Sequence, residues 1–248
     1  SALNSTLYIN LEPCCHYGKT SPCTSTIIKS KISEVIYSVN DVDRRVSGKS
    51  KKILNSKKII VKTGLLKEKT KQFYNPYFYN RKYELPFVTG KIAISKNNLI
   101  YSKGNKRITN YLSDNFTHLL RYKNDSIMVS YKTLNKDNSK LNCRLKNLKN
   151  FSPKRIILDN KLNLNTQSYL FKTIKKNNTI VFYNEANKSK INEFKKNKIK
   201  LIKSKLSKDK KFDIKIIFKK LYDLGARNIL IEGGNELTTY LVKKRLFN

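Results

Sequence analysis

The chain has 248 residues, 53 Lys and Arg against 17 Asp and Glu, a formal net charge of +36 and 39% hydrophobic residues. This suffices for one large or two modest domains with packed cores, and no apolar run approaches the roughly eighteen residues of a membrane-spanning helix, so a helical membrane protein is excluded. The basic excess is overwhelmingly Lys and is spread along the whole chain. A specific nucleic-acid site favours Arg gathered on one face, so the charge reads as compositional bias, with no specific nucleic-acid partner.

In chain order, "STLYINLEP" (5–13) is a β-rich run ending at Pro13, and "CTSTIIKSK" (23–31) is a short helix candidate. "SEVIYSV" (33–39) and "KKIIVKTG" (57–64) are strands, with a helix candidate, "GKSKKILNSK" (48–57), between them. Such alternation predicts parallel strands joined by crossover helices. "LLKEKTKQFYNPYFYNR" (65–81) reads as a helix leading to a connector, and Pro86 opens an apolar strand, "PFVTGKIAIS" (86–95). "TNYLSDNFTHLLRYK" (109–123) predicts a helix with Leu112, Phe116, Leu119 and Leu120 on one face. "DSIMVS" (125–130), "KRIILD" (154–159) and "NTIVFYN" (178–184) are strand candidates. In "DIKIIFKKLYDLG" (213–225), Ile214, Ile217, Phe218 and Leu221 repeat at helical spacing and Gly225 supplies the stop. "NILIEGGNELTTYL" (228–241) reads strand, glycine pair, helix, and the Lys-rich 195–211 reads as a strand and surface loop.

The first chemical motif is "EPCCHYGKTSPC" (12–23). Cys14 falls at a strand end. Cys23 follows Ser21-Pro22, which looks like an N-cap and a first-turn Pro. Helix N–H groups there favour the thiolate, the form that binds zinc. Two buried loop cysteines would give the same spacing. The surrounding residues resemble the deaminase domain of the bifunctional riboflavin-biosynthesis deaminase–reductase family. Its pattern, Glu-Pro-Cys-x-His-x-Gly-x-Thr-Pro-Pro-Cys, is met at every fixed position except Ser21. The resemblance implies Cys14 and Cys23 as Zn2+ ligands and places His16 and Lys19 at the pyrimidine-phosphate pocket, with Cys15 a bystander. "NDVDRRVSGKS" (40–50) resembles a family loop but lacks both of its prolines and its last glycine. The family takes its third zinc ligand and its general acid/base from a His-Ala-Glu segment upstream, which this chain does not contain. No catalytic residue is therefore assigned, and no deamination is expected of this chain alone.

The resemblance continues into the family's reductase domain through "KIAIS", "LLR" ending at Arg121, "DSIMVSYKTLNKDNSKLNCR" (125–144), "PKRIILDNKLNL" (153–164) and "ILIEGGNEL" (229–237). A strand–Gly-Gly–helix turn lets a phosphate approach main-chain N–H groups, although a plain tight turn has the same sequence. The resemblance implies NADPH at Ala93, Thr133, Asp137, Asn160, Gly233 and Gly234, and a ribose-phosphate substrate at Arg121, Leu141, Arg144 and Glu232. Arg107 stands where the family has an aromatic over the cofactor. Cys143 is read as core on a strand.

The implied fold class is α/β: a partial cytidine-deaminase-like α/β/α domain over 1–82, then a dihydrofolate-reductase-like domain over 83–248. The implied reaction reduces the ribosyl side chain of a pyrimidine ribosyl phosphate. Two alternatives stand beside it: a basic nucleic-acid binder on a degenerate deaminase fold, and a reductase-only relative. Four cysteines without a signal pattern suggest a reducing, cytoplasmic setting. The strand-like start and helical end suggest a fragment of a longer chain, and a homo-oligomer is left open.

Overall fold

The computed structural model describes residues 2–97, 99–100, 108–174 and 178–248, so the Arg107 expectation lies outside the described residues. The chain divides into two compact units, residues 1–84 and 85–248.

The first unit runs β1 (Thr6–Leu11), α1 (Cys23–Lys29), β2 (Glu34–Val39), α2 (Lys49–Ser56), β3 (Ile60–Thr63) and α3 (Lys67–Tyr83). Its three strands pair in parallel in the order β1-β2-β3, as strand–helix alternation requires. Ile27, Ile32, Val35, Tyr37, Leu54 and Ile59 form the core. Two expectations are corrected here. Pro22, not Ser21, caps α1, with no side-chain hydrogen bond, so Cys23 is the first helical residue. The 65–81 segment has no connector, because α3 continues unbroken through Pro76 to Tyr83. A proline inside a helix removes one hydrogen bond and clashes with the preceding turn. Aromatic contacts on both sides offset that loss: Tyr74 stacks on Phe78 at 6.0 Å and Tyr79 meets Tyr83 at 4.8 Å.

Glu12 is 3% exposed, and its carboxylate accepts from the main-chain N–H groups of Asp41 (3.2 Å), Gly48 (3.0 Å) and Ser50 (3.2 Å). The Glu of the Glu-Pro-Cys motif is thus a clamp on loop 41–50. The buried Tyr37 phenol is pushed up to about 12, first by burial and then by the Glu12 charge. Tyr77 donates to the Asp41 carboxylate at 3.0 Å, which ties α3 to the same loop.

The second unit runs β4 (Phe87–Gly90), α4 (Tyr111–Lys123), β5 (Ser126–Ser130), α5 (Tyr131–Asp137), β6 (Lys154–Leu158), α6 (Tyr169–Lys172), β7 (Thr179–Tyr183), α7 (Lys188–Lys196), β8 (Lys200–Lys203), α8 (Ile214–Asp223), β9 (Asn228–Ile231) and α9 (Asn235–Lys243). All six strands are parallel, in the order β4-β9-β5-β6-β7-β8. A parallel sheet is covered on both faces, and the side chains alternate accordingly. Met128, Ile156, Phe182 and Ile231 join the core beneath α8 and α9. Ile127, Val129, Ile157, Val181 and Leu230 join the opposite core with Leu134, Phe171 and Phe194. Each fully buried aliphatic side chain contributes about 1.5–3 kcal/mol.

Three more expectations are corrected. The apolar strand stops at Gly90 instead of 95, and Ile92 and Ile94 are exposed. The outer edge of β4 is taken by Asn248, whose Oδ1 accepts from Val88 N–H at 2.7 Å and whose N–H donates to Val88 O at 3.1 Å. A Cβ on Gly90 would stand 2.7 Å from the Phe247 ring, so this close approach requires glycine. On α4, Leu112 is 74% and Phe116 59% exposed, while Thr117, His118 and Arg121 are buried. Of this inward stripe, Arg121 pairs with Glu232, a residue of the site described next. Cys143 is buried but lies outside any strand.

Candidate active site

The carboxyl ends of β4, β5 and β9, three neighbours in the sheet, open onto one cavity of about 530 Å3. In open parallel sheets ligands gather at such ends, where the chain leaves adjacent strands for different helices. Of the residues expected to bind, Ala93, Thr133, Asp137, Leu141, Glu232, Gly233 and Gly234 all line this cavity. Asn160 lies instead in an adjoining cavity of about 400 Å3, which shares Ser130, Lys132, Glu236 and Leu237 with the first.

The glycine pair is held by short-range geometry. Ser130 caps α5 by accepting from Thr133 N–H at 3.3 Å, and its hydroxyl meets Thr133 Oγ1 at 3.2 Å. Thr133 Oγ1 in turn accepts from Gly234 N–H at 3.3 Å. A Cβ on Gly234 would approach Thr133 Oγ1 to 2.9 Å, and one on Gly233 would meet Leu237 at 3.1 Å. Both positions keep main chain close to the start of α9, which is the cradle a pyrophosphate needs. Leu141 adopts a left-handed backbone, φ 51°, with its side chain buried, so its main chain is what it can present to the cavity.

Arg121 reaches Glu232 with both prongs of its guanidinium, Nε to Oε1 at 2.6 Å and Nη2 to Oε2 at 2.7 Å. Nη1 donates to Asn142 O at 3.1 Å. The two expected substrate residues therefore meet each other. Arg144 is exposed and donates to Asn142 Oδ1 at 3.0 Å. His118 is buried beside them with Nδ1 unpartnered among the described residues. Burial, then the charges of Arg144 and Arg121, push its pKa down.

Sequence reasoning missed three structural supports. Glu12 is one. The second is Asp159, fully buried just before Asn160, whose carboxylate accepts from Asn163 N–H (2.8 Å) and Leu164 N–H (2.7 Å). Burial raises its pKa and those N–H groups oppose the rise. An acidic residue ending an apolar strand was the available signal. The third is the Lys132–Glu236 ion pair at 2.9 Å, between residues that line both cavities. Nothing local in the sequence pairs residues so far apart.

In the first unit, Cys23 N–H donates to Cys14 Sγ at 3.2 Å, so the two expected metal ligands are adjacent. Instead of favouring the thiolate, the surroundings push the Cys23 thiol up, chiefly through its hydrogen bond with Cys14 and then through burial. One sulfur beside another resists losing its proton. His16 is half-buried, with Nδ1 unpartnered among the described residues, and Lys19 is exposed. The large cavity of this unit has neither in its lining. Among the described residues no group of three His, Cys, Asp or Glu side chains could hold a metal. Two thiols are short of the three protein ligands of a catalytic zinc, so the residues present do not fit one, and no step is derived through it.

An all-parallel sheet flanked by helices, with a glycine turn beside a cleft at its strand ends, places the second unit in the class of α/β ligand-binding folds. The RibD C-terminal domain matches residues 87–248. A riboflavin biosynthesis protein RibD of Aquifex aeolicus is 30% identical over 249 residues, covering 100% of this chain and 68% of its own length. The structure of a diaminohydroxyphosphoribosylaminopyrimidine deaminase/5-amino-6-(5-phosphoribosylamino)uracil reductase from Thermotoga maritima superposes with TM-score 0.81 at 28% identity, over 98% of this chain and 65% of that one. Acinetobacter baumannii RibD shares the fold, TM-score 0.84 at 22% identity, over 100% of this chain and 67% of that one. The chain belongs to the RibD family of riboflavin biosynthesis, and its second unit is that family's reductase domain. It spans about two thirds of the length of these relatives.

Proposed function

We propose that the second unit reduces the ribosyl side chain of a pyrimidine ribosyl phosphate to a ribityl chain with NADPH, and that the first unit is the later part of a zinc deaminase domain. The observation that carries the reductase reading is the gathering of Ala93, Thr133, Asp137, Leu141, Glu232, Gly233 and Gly234 around one cavity. The Thermotoga relative, named as a deaminase and uracil reductase, supports the same substrate class.

The bound cofactor supplies a hydride for the open-chain C1′ carbon of the substrate. Gly233 and Gly234 would admit its pyrophosphate to the main chain at the start of α9, with Thr133 fixing their position. Arg144, exposed and without a carboxylate partner among the described residues, would meet the substrate phosphate. The neutralised Arg121–Glu232 unit would orient the ribose hydroxyls. Hydride added to C1′ of the ring-opened C1′=N form would leave a C–N single bond whose nitrogen takes one proton, which water would supply, so no side-chain acid is assigned. The protein acts by orientation and charge placement.

In the first unit, Cys14 and Cys23 would contribute two zinc ligands only in a longer parent that supplied the third, and there His16 and Lys19 would face the pyrimidine phosphate. We take the setting as cytoplasmic, in keeping with cysteines read as metal ligands. The test is loss of nicotinamide absorbance when the chain is given NADPH and the phosphoribosylaminouracil. Turnover abolished by Gly234→Val supports the reading. A folded chain that neither binds nor oxidises NADPH overturns it.

A further inference from the structure

The buried face of α4 holds a group that the proposed reaction does not use. His118 lies one turn before Arg121 on this helix, and both side chains are buried. The imidazole Nδ1 is buried with no hydrogen-bond partner among the described residues. Four groups act on the ring: Arg121 from its own helix, Glu232 from just beyond β9, and Arg144 and the Asn142 carbonyl from the segment that follows α5. That segment, 141–144, also carries the left-handed main chain of Leu141. Arg121 ties α4 to it through Nη1, which donates to the same Asn142 carbonyl at 3.1 Å. On its other side Cys143 N–H donates to Ser152 Oγ at 3.1 Å.

We infer that His118 is a positioning residue of the reductase site: its uncharged ring, lying between α4 and segment 141–144, sets the spacing between Arg144 and the Arg121–Glu232 pair. The inference rests on the reductase reading, in which Arg144 meets the substrate phosphate and Arg121–Glu232 the ribose hydroxyls. It adds the residue that fixes the distance between those two ends. His118 is not in the cavity lining, so it acts through its neighbours. Two guanidinium groups approach the ring from different elements, and a cation at 118 would repel both. Burial and those two charges keep the proton off it. If the ring is withdrawn, Arg121 stays in place, because Glu232 holds two of its nitrogens. Arg144 has no such anchor. It is exposed, and its hydrogen bond runs to the side chain of Asn142, within its own segment. Arg144 is therefore the group that shifts, and the loss falls on the phosphate end of the substrate.

The test measures KM and kcat for the phosphoribosylaminouracil and for its dephosphorylated form, and the dissociation constant of NADPH, in the full chain and in His118→Ala. The expected result is a KM for the phosphorylated substrate raised about 10–100-fold, with kcat changed by less than about threefold. The dephosphorylated substrate and NADPH are handled as before. His118→Gln, an uncharged side chain of similar reach, recovers most of the loss. Leu112→Ser, on the exposed face of the same helix, alters none of these constants. Where circular dichroism shows that His118→Ala does not fold, His118→Thr supplies the same comparison, since its shorter side chain also withdraws the ring and can bond the preceding turn of the helix. A loss shared by both substrates and NADPH, or no loss at all, overturns the inference and leaves the reductase reading standing. A folded chain that oxidises NADPH with neither substrate overturns both.

Discussion

Arg121 and Glu232, 111 positions apart in the chain, meet in a two-pronged ion pair whose side chains are only 11% and 13% exposed. Removing one partner from such a pair strands a charge, which costs about 3–5 kcal/mol, whereas replacing both with apolar residues of similar size is often neutral. Arg121→Ala is therefore expected to lower stability by about 3 kcal/mol and to abolish turnover. Arg121→Met with Glu232→Leu is expected to regain most of the stability and none of the turnover. Urea unfolding followed beside NADPH oxidation checks this, and recovery of activity in the double variant would remove both residues from the substrate site.

Gly234 sits where a Cβ would press on Thr133 Oγ1. Gly234→Val is expected to weaken dinucleotide binding at least about tenfold, because side-chain bulk displaces the phosphate from the main chain. Thr133→Ala, which removes the acceptor of Gly234 N–H, is expected to raise KM for the cofactor more than it lowers kcat. Fluorescence titration with NADPH reads the first effect, and steady-state NADPH oxidation at varied cofactor concentration reads the second.

His118 carries a pH signature. Its pKa is held below the ordinary 6.5 in the folded chain, so the unfolded chain binds the proton more readily. Its contribution to stability is full above 6.5 and is lost as pH falls toward the depressed folded value. Unfolding free energy is expected to decline as pH drops below about 6.5, and His118→Gln is expected to flatten that part of the profile. An unchanged slope in the variant would assign the decline to other groups.

The clamp at Glu12 can be tested without any ligand. Glu12→Ala leaves two buried main-chain donors, Asp41 and Ser50, and the half-buried Gly48 without their acceptor, at about 1–3 kcal/mol for each buried one if water does not replace it. The first unit is expected to lose its cooperative unfolding first, with hydrogen exchange at Asp41, Gly48 and Ser50 accelerated. Slow exchange at these amides in the variant would show that other acceptors hold the loop.

How far the sequence told the structure in advance depended on where each signal lies. The glycine pair and α8 were legible because their cues are local: a stop at Gly225, whose φ is +93°, and four apolar residues that all reach the core. On α4 the same periodicity pointed outward. Leu112 and Phe116 lie exposed while Thr117, His118 and Arg121 are buried, and the partner of Arg121, Glu232, is 111 positions away and reachable only in the tertiary fold. Leu112→Ser is accordingly expected to change stability by under about 0.5 kcal/mol. Seven residues of the main cavity were expected from family motifs, while Arg121 and Arg144, expected with them, lie outside its lining. The Lys132–Glu236 link was not foreseen, since its two residues come together only when α5 and α9 are in place.

Because Glu12 grips main chain, loop 41–50 is specified, as far as that grip goes, by where three amide protons point. An imino acid at 41, 48 or 50 would delete one of them. Positions 42 and 44, where the family places its prolines, supply none of the three. Val42 and Arg44 therefore stand in those places without costing Glu12 an amide partner, so replacing them tests chain stiffness apart from the carboxylate's grip.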